Sequence, residues 1–129
     1  NQHVALLEKQ GNTWNILSKN PATTGVHKPP YAQETPTGLF AIQQKKEKMY
    51  YQQDGSSQIA GYAPYASRFT NGAYIHGVPV QLPRKNIIEY SASLGTTPRS
   101  HMCVRNASSH AKLVFERATV KESVVLVID

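Results

Sequence analysis

Ser100-His101-Met102-Cys103-Val104-Arg105 holds the only cysteine of a 129-residue chain. A hydroxyl, an imidazole and a guanidinium lie within three residues of that thiol. A thiol is a poor nucleophile until its proton is removed, and the usual helpers are a histidine, a nearby cation or backbone N–H groups. All three kinds of helper stand in the local sequence. Upstream, a second histidine lies in Ala73-Tyr74-Ile75-His76-Gly77. A cysteine and a histidine that are distant in sequence and brought together by the fold are the pattern of a thiol acyl-transfer enzyme. The alternatives are a buried structural cysteine, which is a common fate of free thiols, and a core histidine satisfied by backbone. His101 and Cys103 are two apart, so on an extended segment their side chains share one side.

The flanks of these two stretches predict strands. Asn71-Gly72 is a hairpin signal that leads into Ala73–His76 as a strand. After Cys103 the apolar spacing of Ala111, Leu113, Val114 and Phe115 predicts a helix over 107–117, with Ser108 or Ser109 as its cap. Residues 123–128 are apolar with little alternation and read as a buried strand. Towards the N-terminus, Val4–Leu7 and Trp14–Leu17 read as two strands joined around Gly11-Asn12, and Ala22–Gly25 as a third, short one. Lys28-Pro29-Pro30-Tyr31 starts a surface loop. Thr35-Pro36-Thr37-Gly38 then turns into a strand at Leu39–Ile42, and Met49–Tyr51 is another. Gly61–Phe69 is aromatic and rich in turn residues, with Pro64 inside, and excludes a helix. Pro79 and Pro83 make the stretch that follows His76 a loop or a short helical turn. Many short strands and one C-terminal helix predict a mainly-β sandwich or barrel.

The length is that of a single domain, residues 1–129, large enough for a real core. No apolar run approaches the roughly 20 residues of a membrane-spanning helix. The chain opens at Asn1 with neither a methionine nor a signal-peptide pattern, and is expected to be a domain excised from a longer exported protein. Fourteen Lys and Arg against eight Asp and Glu give a formal charge of +6, which favours acidic partners. Nucleic acid is disfavoured: the basic residues are scattered, and no helix-turn-helix, zinc-finger or RNA-binding signature is present. Lys45, Lys46 and Lys48 form the only tight basic group, a pattern that is usually a solvated face. An anionic cell wall fits the charge equally well. One cysteine allows no internal disulfide, and five histidines without a chelating spacing predict no metal site.

His76-Gly77, Leu94-Gly95 and Ser100 to Arg105, preceded by Thr35 to Phe40 and followed by an apolar last strand, resemble the catalytic signature of the L,D-transpeptidases, the YkuD-like domain of bacterial cell-wall enzymes. The resemblance implies a β-sandwich or barrel of two mixed sheets. It implies a two-step acyl transfer in which Cys103 attacks the bond between the third residue of a peptidoglycan stem peptide and the following D-alanine. An amine of a second stem peptide then resolves the thioester and forms a cross-link, and the implied reaction needs no metal or organic cofactor. An L,D-carboxypeptidase, with water as acceptor, and a non-catalytic wall-binding domain on the same scaffold are the alternatives.

The resemblance also assigns roles. His76 is the base, oriented by the Gly77 carbonyl. Ser100 and His101 shape the loop and tune the thiol. The N–H groups around Met102 and Cys103 form the oxyanion hole. Arg105 binds a substrate carboxylate or holds the loop. Among Tyr62, Tyr65 and Tyr74, one is expected to line the cleft, although tyrosines at this density are more often packing residues. The implied partners are donor and acceptor stem peptides, with carbapenem β-lactams as covalent inhibitors. The implied location is extracellular, or the wall or periplasmic side of a bacterial membrane, with any anchor outside this chain.

Two departures stand out. The family has glycine between the motif's histidine and cysteine, where this chain has Met102. A side chain there is expected to line the donor site and, if the glycine serves a positive φ, to cost on the order of 1 kcal/mol. Twenty-three residues separate His76 from Ser100, more than the family commonly shows, so residues 78–93 are expected to form a rim loop.

Overall fold

A hairpin, a long bent strand and a parallel pair build the frame that carries the site. The computed structural model describes residues 2–29, 32–52, 55–83, 86–87, 94 and 102–128. Its elements, in order, are β1 (His3–Gln10), β2 (Thr13–Thr23), β3 (Gly38–Ala41), β4 (Gln44–Gln52), β5 (Ile59–Thr70), β6 (Ala73–His76), β7 (Val80–Gln81), β8 (Asn86–Ile87), β9 (Val104–Asn106), α1 (Ser108–Arg117) and β10 (Val124–Val127). Among the described residues the strands form two sheets. The larger runs β1-β2-β9-β6-β5-β7-β8, with β4 also paired to β5, and the smaller is β10-β3.

The larger sheet is mixed, because β6 and β9 are parallel whereas their neighbours are antiparallel. The smaller is antiparallel throughout, so only one of the two sheets is mixed as expected. β1 and β2 join through the turn at Gly11 and Asn12. Ala22 and Thr23 do not start a third strand; they are the end of β2, where they pair with Asn106 and Arg105 of β9.

β5 corrects the turn-rich reading of residues 61–69. One edge pairs with β4 over most of its length, and the other takes β6 near its C-terminal end and β7 near its start. Pro64 survives inside this strand for a physical reason. Its carbonyl accepts a hydrogen bond from the Gly77 N–H (2.8 Å), so its missing N–H faces the same edge, in the gap between β6 and β7.

The core is one cluster. Ala22, Phe69, Ala73, Ile75 and Val104 from the strands and Ile42 from the link between β3 and β4 meet Val114 of α1 and Ala118 just after it. Phe40 packs against Phe69 with ring centroids 5.5 Å apart. α1 begins after Ala107, and no side chain caps it. Ser108, expected as a cap, instead accepts a hydrogen bond on Oγ from the Val78 N–H (3.2 Å). The C-terminal end has a better partner: Lys45 Nζ donates to the carbonyls of Phe115 (3.0 Å) and Ala118 (2.9 Å). A cation at that end also opposes the helix dipole.

β10 is not a buried strand. Val124 and Leu126 are 61% and 65% exposed, while Val125 and Val127 pack against the core. Among the described residues it pairs only with β3, and the face that carries Val124 and Leu126 stays open.

Behind β9 lies a small polar network. Ser18 Oγ is 2.7 Å from His110 Nε2, His110 Nδ1 is 3.3 Å from Asn106 Oδ1, and Asn106 Nδ2 donates to the Pro21 carbonyl (2.8 Å). It ties β2, β9 and α1 together. Burial holds His110 below its ordinary pKa, so the ring is kept neutral.

Candidate active site

The parallel pair β6–β9 positions the chemistry. Ile75 is registered with Val104 and His76 with Arg105. The same register sets Cys103, one residue ahead of β9, beside Tyr74, whose backbone N–H faces the thiol. Ile75 and Val104 point into the core. Side chains alternate along a strand, so Tyr74, His76, Cys103 and Arg105 share the opposite face. The two residues singled out for catalysis, 27 positions apart, thus stand on neighbouring segments, His76 at the end of β6 and Cys103 just ahead of β9.

His76 is buried. Its Nδ1 is 2.7 Å from the Gly77 carbonyl oxygen. A carbonyl can only accept, so Nδ1 carries the proton and the neutral ring keeps its lone pair on Nε2. That is the tautomer a general base needs. Gly77 is required by space. A Cβ there would come within 2.8 Å of both Pro64 Cγ and Ser108 Oγ. Without a side chain, the turn after His76 closes against β5 and the start of α1.

The thiol is less prepared. Cys103 is partly buried, and its Sγ–H donates to the Gly72 carbonyl at 3.4 Å. Burial pushes its pKa up to about 11, although the Tyr74 N–H and the Arg105 guanidinium pull the other way. The local helpers therefore do not outweigh desolvation, and the resting group is a thiol, not a thiolate.

The loop before Cys103 is fixed from an unexpected side. Met102 has φ of +108°, a region L side chains rarely adopt. Its carbonyl accepts from Thr35 Oγ1 (2.7 Å), and Thr35 Oγ1 in turn accepts from the Gly25 N–H (2.9 Å). A Cβ on Gly25 would fall 2.7 Å from Met102 Cα. Thr35 thus buttresses Met102, the residue before the cysteine, across 67 residues of sequence. The sequence marked Thr35 as part of a motif; only the fold assigns its work, and nothing in the sequence singled out Gly25. The expectation that Met102 lines the donor site is corrected, because its side chain packs against the hydrophobic core.

The remaining expected residues divide. Tyr74 is buried beside Cys103, with Lys46 Nζ 5.6 Å above its ring. Tyr65, held at φ of +51°, packs edge-on against Phe115 of α1 (5.8 Å) and belongs with the helix. Arg105 is partly buried in β9. Ser100, His101, Gly95 and half of the expected rim loop lie outside the described residues. The described half is not a plain loop, because Val80–Gln81 and Asn86–Ile87 pair as the antiparallel strands β7 and β8. Among the described residues no group of three or more His, Cys, Asp or Glu could hold a metal ion.

A family model of the L,D-transpeptidase catalytic domain (YkuD) matches residues 1–127, and the chain belongs to that family. Solved structures agree on the fold. An LD transpeptidase in complex with imipenem is 26% identical, with a TM-score of 0.65 over 88% of this chain and 50% of its own. A fused zinc-dependent amidase/peptidase/peptidoglycan-binding protein from Clostridium acetobutylicum is 19% identical, with a TM-score of 0.69 over 98% of this chain and 47% of its own. L,D-transpeptidase 3 of Mycobacterium tuberculosis, in complex with a faropenem-derived adduct, is 21% identical, with a TM-score of 0.63 over 86% and 45%. The chain spans about half the length of these solved chains. No curated protein matches it.

Proposed function

We propose that the chain is a peptidoglycan L,D-transpeptidase that works through a thioester on Cys103. The observation that carries this reading is the β6–β9 register, with His76 held in the basic tautomer by Gly77 on the strand beside the cysteine. A thiol near 11 is consistent with proton transfer during attack instead of a standing ion pair.

In the first step the Cys103 proton passes to His76 Nε2 as sulfur attacks the carbonyl of the third stem residue. The tetrahedral oxyanion is stabilised by backbone N–H groups around Met102 and Cys103. The intermediate collapses, the C–N bond breaks, and D-alanine leaves with the proton from His76. In the second step an amine of another stem peptide attacks the thioester. Its proton passes through His76 to the departing sulfur, giving the cross-link and the free thiol. With water as acceptor the same steps make an L,D-carboxypeptidase. Ser100 and His101 are assigned to shaping the loop, and Arg105 to a substrate carboxylate or the loop itself. We place this chemistry on the outer side of a bacterial membrane. Carbapenems, one of which is seen with a relative of the same fold, are expected to acylate the same thiol.

One observation favours a second reading. A thiol held high by burial, next to a methionine at positive φ, suits a wall-binding domain that has lost its chemistry. Incubation with a stem tetrapeptide ending in D-alanine separates the two. The enzyme releases D-alanine and loses that ability in Cys103→Ala, with dimer or tripeptide identifying the acceptor. A folded chain that binds the peptide and releases nothing is the binding domain.

A further inference from the structure

The tight lysine group acquires a direction in the fold. Lys46, Lys48 and Tyr50 of β4 are registered with Ala66, Pro64 and Tyr62 of β5, so all six project from one face. Arg68 of β5 is registered with Tyr74 of β6, which extends the same face to the strand beside Cys103. Lys46 faces an alanine, and the small side chain lets the lysine stem cross β5. Its Nζ comes to 5.6 Å above the Tyr74 ring. Lys48 Nζ sits 4.9 Å above Tyr62, and Tyr62 meets Tyr50 in a tilted contact with ring centroids 5.9 Å apart. Both lysines are exposed. Neither has a carboxylate within ion-pair distance among the described residues. Each rests on a ring, which fixes the direction of the stem while leaving the ammonium's donors to solvent. Two aimed cations without acidic partners, on a chain of charge +6, call for an anion.

We propose that Lys46 and Lys48, propped on Tyr74 and Tyr62 along the sheet face that leads to Cys103, form a carboxylate subsite for the stem peptide. The group recognised is the free side-chain carboxylate of the third residue, the residue whose carbonyl the thiol attacks. Tyr74 links the two functions: its backbone faces the sulfur and its ring carries Lys46. The inference rests on the transpeptidase reading for the identity of the peptide, and on the sheet register alone for the location. It also predicts discrimination, because a carboxamide at that position removes the charge and keeps the shape.

The test uses two tetrapeptides ending in D-alanine that differ only in a carboxylate or carboxamide on the third residue. Binding to Cys103→Ala is measured by calorimetry, with and without the added pair Lys46→Gln and Lys48→Gln, after circular dichroism and melting confirm the fold. The expected result is tighter binding of the carboxylate peptide by the lysine-containing chain. The glutamine pair weakens that peptide by about tenfold, the scale of one charge-assisted contact, and leaves the carboxamide peptide unchanged. Added salt weakens the carboxylate peptide selectively. Equal affinity for the two peptides, binding of neither, or an equal loss for both on substitution overturns the subsite. In those cases the lysines only guard the edge of β4 against strand pairing. Failure of the transpeptidase reading registers separately, as a wild-type chain that releases no D-alanine while Cys103→Ala keeps its preference for the carboxylate.

Discussion

β6 and the residues entering β9 carry the two candidate reacting side chains under opposite conditions. On β6 every residue is buried, His76 is locked to the next carbonyl, and its neighbours pack in the core. Ahead of β9 the backbone is at φ +108°, the thiol is held at about 11, and one threonine hydroxyl anchors the turn. The proposed base is prepared by regular structure, and the proposed nucleophile follows a strained residue, Met102, that distant groups hold. Each half is therefore vulnerable in its own place: β6 resists change except at the ring itself, and the residue before the cysteine depends on its clamp.

The largest effect belongs to the ring. His76→Gln keeps size and removes the base, and is expected to lower D-alanine release by about three orders of magnitude. Single-turnover assays on the folded variant check this; retained activity would place the base elsewhere. Next comes the clamp. Thr35→Val leaves the Met102 carbonyl and the Gly25 N–H unmet, with an expected loss of about 1–3 kcal/mol in denaturant melts and slower acylation. An unchanged melt would remove Thr35 from the account.

The strain itself is tested by a pair. Met102→Ala and Met102→Gly both lose the packing, but only glycine relaxes at positive φ. Glycine is expected to be the more stable of the two by about 1 kcal/mol, the reverse of the usual order of these residues. Alanine above glycine in a thermal melt would mean that the loop is not strained.

The smallest effect lies behind the site. Burial holds His110 below its ordinary value of about 6.5, so the folded chain takes up this proton less readily than the unfolded one. Its contribution to stability is complete above that pH and is lost as pH falls through the lower folded value. His110→Gln is expected to flatten the acid limb of the stability profile; an unaltered limb would assign it to other groups.

Much of the frame was legible. The Gly11-Asn12 and Asn71-Gly72 turns, the strand ending at His76 and the helix over Ser108–Arg117 follow from local chemistry and periodicity. β5 was not legible, because Pro64 is tolerated only through a gap between β6 and β7 that exists in three dimensions. β10 misled for the converse reason: an apolar run signals burial, but no described strand or helix covers Val124 and Leu126. In the site, the motif indicated Cys103 and His76 as a pair, and the parallel register supplies their adjacency. The Thr35 clamp and the direction of Met102 depend on contacts 67 residues apart, beyond any local pattern. The raised thiol also escaped sequence reasoning, because neighbouring cations are visible in a sequence and desolvation is not.

The central claim is that this partly buried thiol, beside a fixed base, accepts an acyl group. The most direct measurement is intact-protein mass spectrometry after incubation with imipenem, run beside Cys103→Ala and His76→Gln. One covalent adduct is expected on the wild-type chain, none on Cys103→Ala, and a markedly slower one on His76→Gln. A folded wild-type chain that gains no mass would contradict the claim, and would leave the scaffold as a domain that binds the wall without reacting.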